Sequence, residues 1–96
     1  MKYFDNLKKI FVHYGMAHQL NKLTEEIGEL LIAISKGDTK NIVEEMADVL
    51  VILDQFRFHS KYSDRIICTM FNKAYRQIER METENENRKR NNRSNA

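Results

Sequence analysis

A chain of 96 residues with a formal charge of +2, 42% hydrophobic and 31% charged, predicts one small domain whose core is marginal when it stands alone. So small a net charge gives no reason to expect nucleic-acid binding by the domain as a whole. The absence of proline, the three glycines and the lack of alternating β-branched residues argue against sheet and predict an all-α chain.

The first predicted helix covers about residues 3–14, with Phe4, Leu7, Ile10 and Phe11 on one face and Gly15 as its break. The second covers about 17–36. Leu20, Leu23, Ile27, Leu30, Leu31 and Ile34 recur there at helical spacing. Gly37 stands where a helix C-cap belongs, and Asp38 or Thr39 can cap a third helix over about 40–59.

That third helix is apolar almost all round, from Ile42 and Val43 through Val49–Leu53 to Phe56. Such a helix must be covered on nearly every side. Ile32 adds an apolar residue opposite the main stripe of the second helix. Three other short helices cannot bury all this, so the expected architecture is a four-helix chain forming an oligomeric helical bundle, a homo-oligomer (dimer or tetramer).

Ser63 caps a fourth helix carrying Ile66, Ile67, Met70, Phe71, Tyr75 and Ile78. From Thr83 the apolar residues stop. The organisation expected is therefore a helical domain over 1–82 and a disordered polar, basic tail over 83–96. Arg88, Lys89, Arg90 and Arg93 could touch phosphates, but Glu79, Glu82, Glu84 and Glu86 precede them and no reading motif accompanies them. Nucleic acid is not the expected partner.

Cys68 is the lone cysteine, the N-terminus lacks a signal-peptide apolar stretch, and no apolar run approaches a membrane span. The expected location is cytoplasmic, with no membrane partner.

Two acidic pairs carry the chemistry. Glu26/Glu29 and Glu45/Asp48 each have i,i+3 spacing, which puts both carboxylates on one helix face. The break at residues 37–39 lets the third helix fold back on the second and gather all four. Glutamate pairs on helices are ordinarily solvated faces. Glu45 and Asp48, however, lie in the helix with the least solvated face. Gly28, between Glu26 and Glu29, would let another helix or a ligand come close. Four anions in a half-buried seam repel and lose hydration, and a divalent cation is the simplest compensation. An all-carboxylate set suits Mg²⁺, with Mn²⁺ as the second choice. His13, His18 and His59 read as helix-end or surface residues rather than ligands.

Glu25-Glu26-x-x-Glu29, fifteen residues, then Glu45-x-x-Asp48 resembles the EExxE–ExxD motif of the MazG-like, all-α nucleoside triphosphate pyrophosphohydrolases. Gln19–Leu23 before the motif and Ala47–Leu50 at its close fit as well, and the resemblance extends over about 16–80. It implies an enzyme: Mg²⁺-dependent hydrolysis of a (deoxy)nucleoside triphosphate to the monophosphate and pyrophosphate. The metal ligands it implies are Glu26, Glu29, Glu45 and Asp48, with Glu25 in a supporting or base role. Lys73, Arg76 and Arg80, three and four apart on the fourth helix, look like the family's basic residues and are the expected phosphate contacts; Lys36 is a weaker candidate. Phe11, His13, Tyr14 and His18 are candidates for the nucleoside. The alternative reading is a non-catalytic oligomeric module with a remnant or structural metal site.

Overall fold

The computed structural model describes residues 2–94, which are helical apart from short connections. Four helices follow one another: α1 (Lys2–Tyr14), α2 (Met16–Lys36), α3 (Thr39–His59) and α4 (Ser63–Ser94). No strand occurs among the described residues. No helix there is long and apolar enough to cross a membrane. The chain divides into two units, 1–61 and 62–96.

In the first unit the breaks fall at glycines for a backbone reason. Gly15, at φ 83°, ends α1 by donating to the Phe11 carbonyl at 2.9 Å and starts α2 by accepting from Gln19 N–H at 3.1 Å. Gly37 closes α2 in the left-handed conformation (φ 65°, ψ 25°). Its N–H reaches the Ile34 carbonyl at 3.1 Å, and Asp38 N–H reaches Ala33 at 3.3 Å. A side chain at Gly37 would be strained there. Asp38 then caps α3, accepting from Asn41 N–H at 3.3 Å and from the Asn41 amide at 2.9 Å.

This turn sends α3 back antiparallel along α2. The buried line of α2 is Gln19, Glu26 and Ala33, one residue every seven, and it meets Val49, Ile52 and Gln55 of α3. Spacing by seven is what two helices lying side by side require. Gln19 Nε2 donates to Gln55 Oε1 at 2.8 Å inside this seam. The α2 stripe predicted from the sequence is only partly used. Leu23 and Leu30 are half-buried, whereas Leu20, Ile27, Leu31 and Ile34 stay exposed on the flank. On α3, Val43, Met46, Leu50 and Leu53 are likewise exposed.

α1 is held against the C-terminal half of α3. Leu7 is fully buried. Phe4 packs edge-on against Phe58 with ring centres 4.7 Å apart, and Phe11 against Phe56 at 5.4 Å. Tyr3 Oη donates to Asp54 Oδ2 at 2.8 Å, while Arg57 Nη2 donates to Asp54 Oδ1 at the same distance.

In the second unit, α4 runs from Ser63 through Ser94. The sequence reading expected disorder from residue 83; here the structure differs, and the helix continues through residues 83–94. Composition explains the continuation. The segment has no proline or glycine, and Glu84/Arg88 and Glu86/Arg90 stand at the favourable i,i+4 spacing. Asn95 and Ala96 lie outside the described residues. On α4, Met70, Phe71, Tyr75, Ile78 and Met81 form an exposed apolar stripe. At 100° per residue, Lys73, Arg76 and Arg80 lie on the opposite side of the helix.

Candidate metal and nucleotide site

The antiparallel register of α2 and α3 brings the two acidic pairs face to face. Glu26, Glu29 and Glu45 each offer a carboxylate oxygen within 4.8 Å of the others. Asp48 adjoins Glu26 across the seam, close enough for a hydrogen bond between the two carboxyls to act on Glu26. Glu26 is buried, Glu45 half-buried, and Glu29 and Asp48 exposed, so the cluster opens on one side.

Glu26 Oε2 and Glu45 Oε2 are buried without a hydrogen-bond partner. Each such buried carboxylate oxygen carries a desolvation penalty. Part of the tension is relieved by protons and by Lys22. Burial works to raise the Glu26 carboxyl. The Lys22 hydrogen bond, a hydrogen bond with Glu45, the Lys22 charge and Asp48 together outweigh it, and Glu26 ends below its ordinary value. Glu45 moves the other way. Its hydrogen bond to Glu26, then burial, then Glu29 push it up to about 7. Glu45 thus holds its proton more tightly than an exposed glutamate does.

Beside the cluster lies a cleft of about 570 Å³, within the range of small-molecule sites. Tyr14, His18, Lys22, Glu25, Glu26 and Asp48 are among its lining residues. Tyr14 and His18 stack nearly parallel, with ring centres 4.6 Å apart and planes 18° apart. His18 Nδ1 is 2.9 Å from Gln19 Oε1, which ties this stack to the buried Gln19–Gln55 pair. Lys22 Nζ is 3.1 Å from Glu26 Oε1 and 3.8 Å from Glu25 Oε2.

Of the residues singled out in the sequence, Glu25, Glu26, Glu29, Glu45, Asp48 and His18 therefore gather along one side of α2 and α3. Lys36 does not join them. It occupies the last turn of α2, ten positions or about 15 Å along the helix from Glu26. Lys73, Arg76 and Arg80 lie on α4, in the second unit. Gly28 was expected to admit a close neighbour, but a Cβ built there meets nothing within 4 Å. Lys22, which the sequence reading did not single out, lines the cleft and contacts Glu25 and Glu26. Its signal was legible, since it stands three and four residues before Glu25 and Glu26.

The donor set fits a hard divalent cation. It is all oxygen, partly open to solvent, and includes two buried oxygens without partners. Comparison with curated proteins and with solved structures returns no match. The family model for the MazG nucleotide pyrophosphohydrolase domain matches residues 16–83, which takes in both acidic pairs and the intervening turn. The chain belongs to the MazG nucleotide pyrophosphohydrolase family.

Proposed function

We propose that the protein hydrolyses a (deoxy)nucleoside triphosphate to the monophosphate and pyrophosphate, with Mg²⁺ or Mn²⁺ held by Glu26, Glu29, Glu45 and Asp48. The observation that carries this reading is the convergence of Glu26, Glu29 and Glu45, with two buried oxygens lacking partners, beside an open cleft. Bound there, the divalent cation would neutralise the carboxylates and draw charge from the phosphoryl oxygens.

The chain's own residues supply the rest. Glu25 is on the cleft wall with its side chain largely exposed, which suits a group that orients water and takes its proton. Water attacks phosphorus in the α–β anhydride, the P–O bond breaks, and pyrophosphate leaves with the bonding electron pair. The Tyr14–His18 stack offers a flat surface for the base at the mouth of the cleft. Lys73, Arg76 and Arg80 remain proposed phosphate contacts from α4, and Lys36 a weaker one.

The working unit is proposed to be a homo-oligomer, a dimer or tetramer, acting in the cytoplasm. Exposed apolar flanks on α2, α3 and α4 support assembly of several copies. The same flanks would serve a non-catalytic oligomeric module, in which the carboxylates hold a structural metal.

Pyrophosphate release from a nucleotide panel, with and without Mg²⁺, separates the two readings. Glu26→Gln, Glu29→Gln, Glu45→Gln and Asp48→Asn should each lower kcat/KM by about two orders of magnitude or more, with helix content retained. Absence of turnover across the panel would favour the module. Full activity in Glu45→Gln or Asp48→Asn would remove that residue from the ligand set. In the same assay Lys73→Ala, Arg76→Ala and Arg80→Ala should be impaired, and a chain lacking 87–96 should not.

A further inference from the structure

The two buried glutamines of the α2–α3 seam have a directional consequence that reaches the cleft. Gln19 Nε2 donates to Gln55 Oε1 at 2.8 Å, which fixes the way round that the Gln19 amide sits. Its oxygen is then turned to His18 Nδ1 at 2.9 Å. An amide oxygen has no proton to give, so Nδ1 must be the donor. A neutral imidazole carries one ring proton, and with that proton on Nδ1 the other nitrogen, Nε2, is a bare acceptor. Gln19 and Gln55 are both buried, so neither amide can turn to water instead.

His18 itself is exposed and lines the cleft. With Nδ1 engaged by Gln19, the Nε2 edge is the side left for a ligand. Tyr14 holds one face of the imidazole, with ring centres 4.6 Å apart and planes within 18°. Parallel rings touch at about 3.5–4 Å, so this stack is offset, and half-exposed Tyr14 keeps free surface beside His18. A flat base laid there would meet Nε2 edge-on. Ile10, Val51 and Ile52 give the same cleft an apolar lining suited to a base. Gln19 is seven residues from Glu26, about 10 Å along α2, which leaves room for a nucleoside between this end and the carboxylates.

We propose that the Gln19–Gln55 pair locks His18 in its Nδ1–H tautomer, and that Nε2 then selects a base carrying an exocyclic amino group, as cytosine and adenine do, over its oxo counterpart. This rests on the pyrophosphohydrolase reading and adds base selection to it. The amino group donates to Nε2, whereas a carbonyl in its place would set acceptor against acceptor. Gln55 is a positioning residue, acting through Gln19 on His18.

Nitrogen-15 spectra of the histidine rings at about pH 8.5, above the usual titration range of histidine, read the tautomer in the full chain. His18→Phe keeps a flat ring against Tyr14 and identifies the His18 signals by their loss. The wild type should show the Nδ1–H form. Gln55→Leu should release the ring into a mixture of tautomers, and Gln55→Glu, which keeps an acceptor for Gln19 Nε2, should retain Nδ1–H. Thermal melts report on folding; if Gln55→Leu does not fold, the wild type and His18→Phe decide. Backbone amide spectra then follow titration with nucleoside monophosphates and Mg²⁺, which needs no turnover. Deoxycytidine monophosphate should bind about tenfold more tightly than deoxyuridine monophosphate, and deoxyadenosine monophosphate than deoxyinosine monophosphate. His18→Phe should narrow both differences to about twofold or less.

An Nε2–H tautomer in the wild type, a folded Gln55→Leu that keeps the wild-type tautomer, or equal binding of the amino and oxo monophosphates would overturn the proposal. Triphosphate hydrolysis accompanied by equal binding leaves the proposed function standing without this base selection. Preference for the amino members in a protein that hydrolyses no triphosphate does the reverse.

Discussion

At the scale of single residues, two of the clustered carboxyls, Glu26 and Glu45, shift in opposite directions. Burial works to raise Glu26, but the Lys22 hydrogen bond and its other neighbours outweigh it and hold the carboxyl below its ordinary value; Glu45 is pushed up to about 7, first by its hydrogen bond to Glu26 and then by burial. This has a consequence for stability in the absence of metal. Between about pH 4.5 and 7 the folded chain keeps a proton on Glu45 that the unfolded chain has released. The folded state then binds more protons, so the Glu45 contribution to stability falls as pH rises through that window. Melting in EDTA at pH 5, 6, 7 and 8 should show Glu45→Gln gaining on the wild type as pH increases. A constant difference across the series would mean that Glu45 ionises in the folded chain as it does when exposed. Lys22 belongs to the same scale. Its position relative to Glu25 and Glu26 could be read from spacing, but the acidic cleft it borders exists only in the fold.

At the scale of helices, the seam between α2 and α3 is built on an unexpected line. The sequence offered a broad apolar stripe on α2, from Leu20 to Ile34. The structure buries Gln19, Glu26 and Ala33 and leaves much of that stripe outside. At the glutamine end of this line the seam satisfies its polar groups, whereas at Glu26 it does not. Gln19 and Gln55 can be buried together because the Gln19 amide donates to the Gln55 side-chain oxygen, while the Gln19 oxygen pairs with His18 Nδ1. Gln55→Leu should therefore destabilise the protein by about 1–3 kcal/mol, because it leaves the Gln19 amide buried without its partner. The double variant Gln19→Leu/Gln55→Leu should be less harmful than the sum of the two single changes. Denaturant unfolding of the four proteins measures this coupling, and simple additivity would show that the pair contributes nothing as a pair. Helix ends, by contrast, were almost fully legible. Gly15, Gly37 and Asp38 act through backbone conformation and local hydrogen bonds, which depend on neighbours in sequence.

At the scale of the whole molecule, large apolar side chains stand exposed on α2, α3 and α4. Ile32 and Leu31 on α2, Val43 and Leu50 on α3, and Phe71 and Tyr75 on α4 are all at least half exposed. Large contiguous apolar patches mark contact surfaces. Ile32→Asp tests the proposed assembly cleanly, because Ile32 is exposed in the single chain and lies away from the cleft. Sedimentation should show a dimer or tetramer for the wild type and a smaller species for the variant, since a charge buried between copies is expensive. A folded wild-type monomer at micromolar concentration would refute the assembly. Val51, equally apolar in sequence, lines the cleft and would confound the same experiment.

The sequence by itself determined the helical class, the breaks at Gly15 and Gly37, the cap at Asp38 and the face on which each acidic pair lies. All of these follow from interactions spanning a few residues. It also carried the family motif, because Glu25, Glu26, Glu29, Glu45 and Asp48 are separated by one turn of chain and two fixed helical registers. Only the tertiary structure decided which oxygens of Glu26 and Glu45 lose their partners, since burial is created by the neighbouring helix. It decided likewise that Lys22 and the Tyr14–His18 stack border the cleft. The helical course of residues 83–94 marks the limit of composition as a guide. Lack of apolar side chains removes a core but not helix propensity, and local charge pairs with no breaker sustain the backbone there.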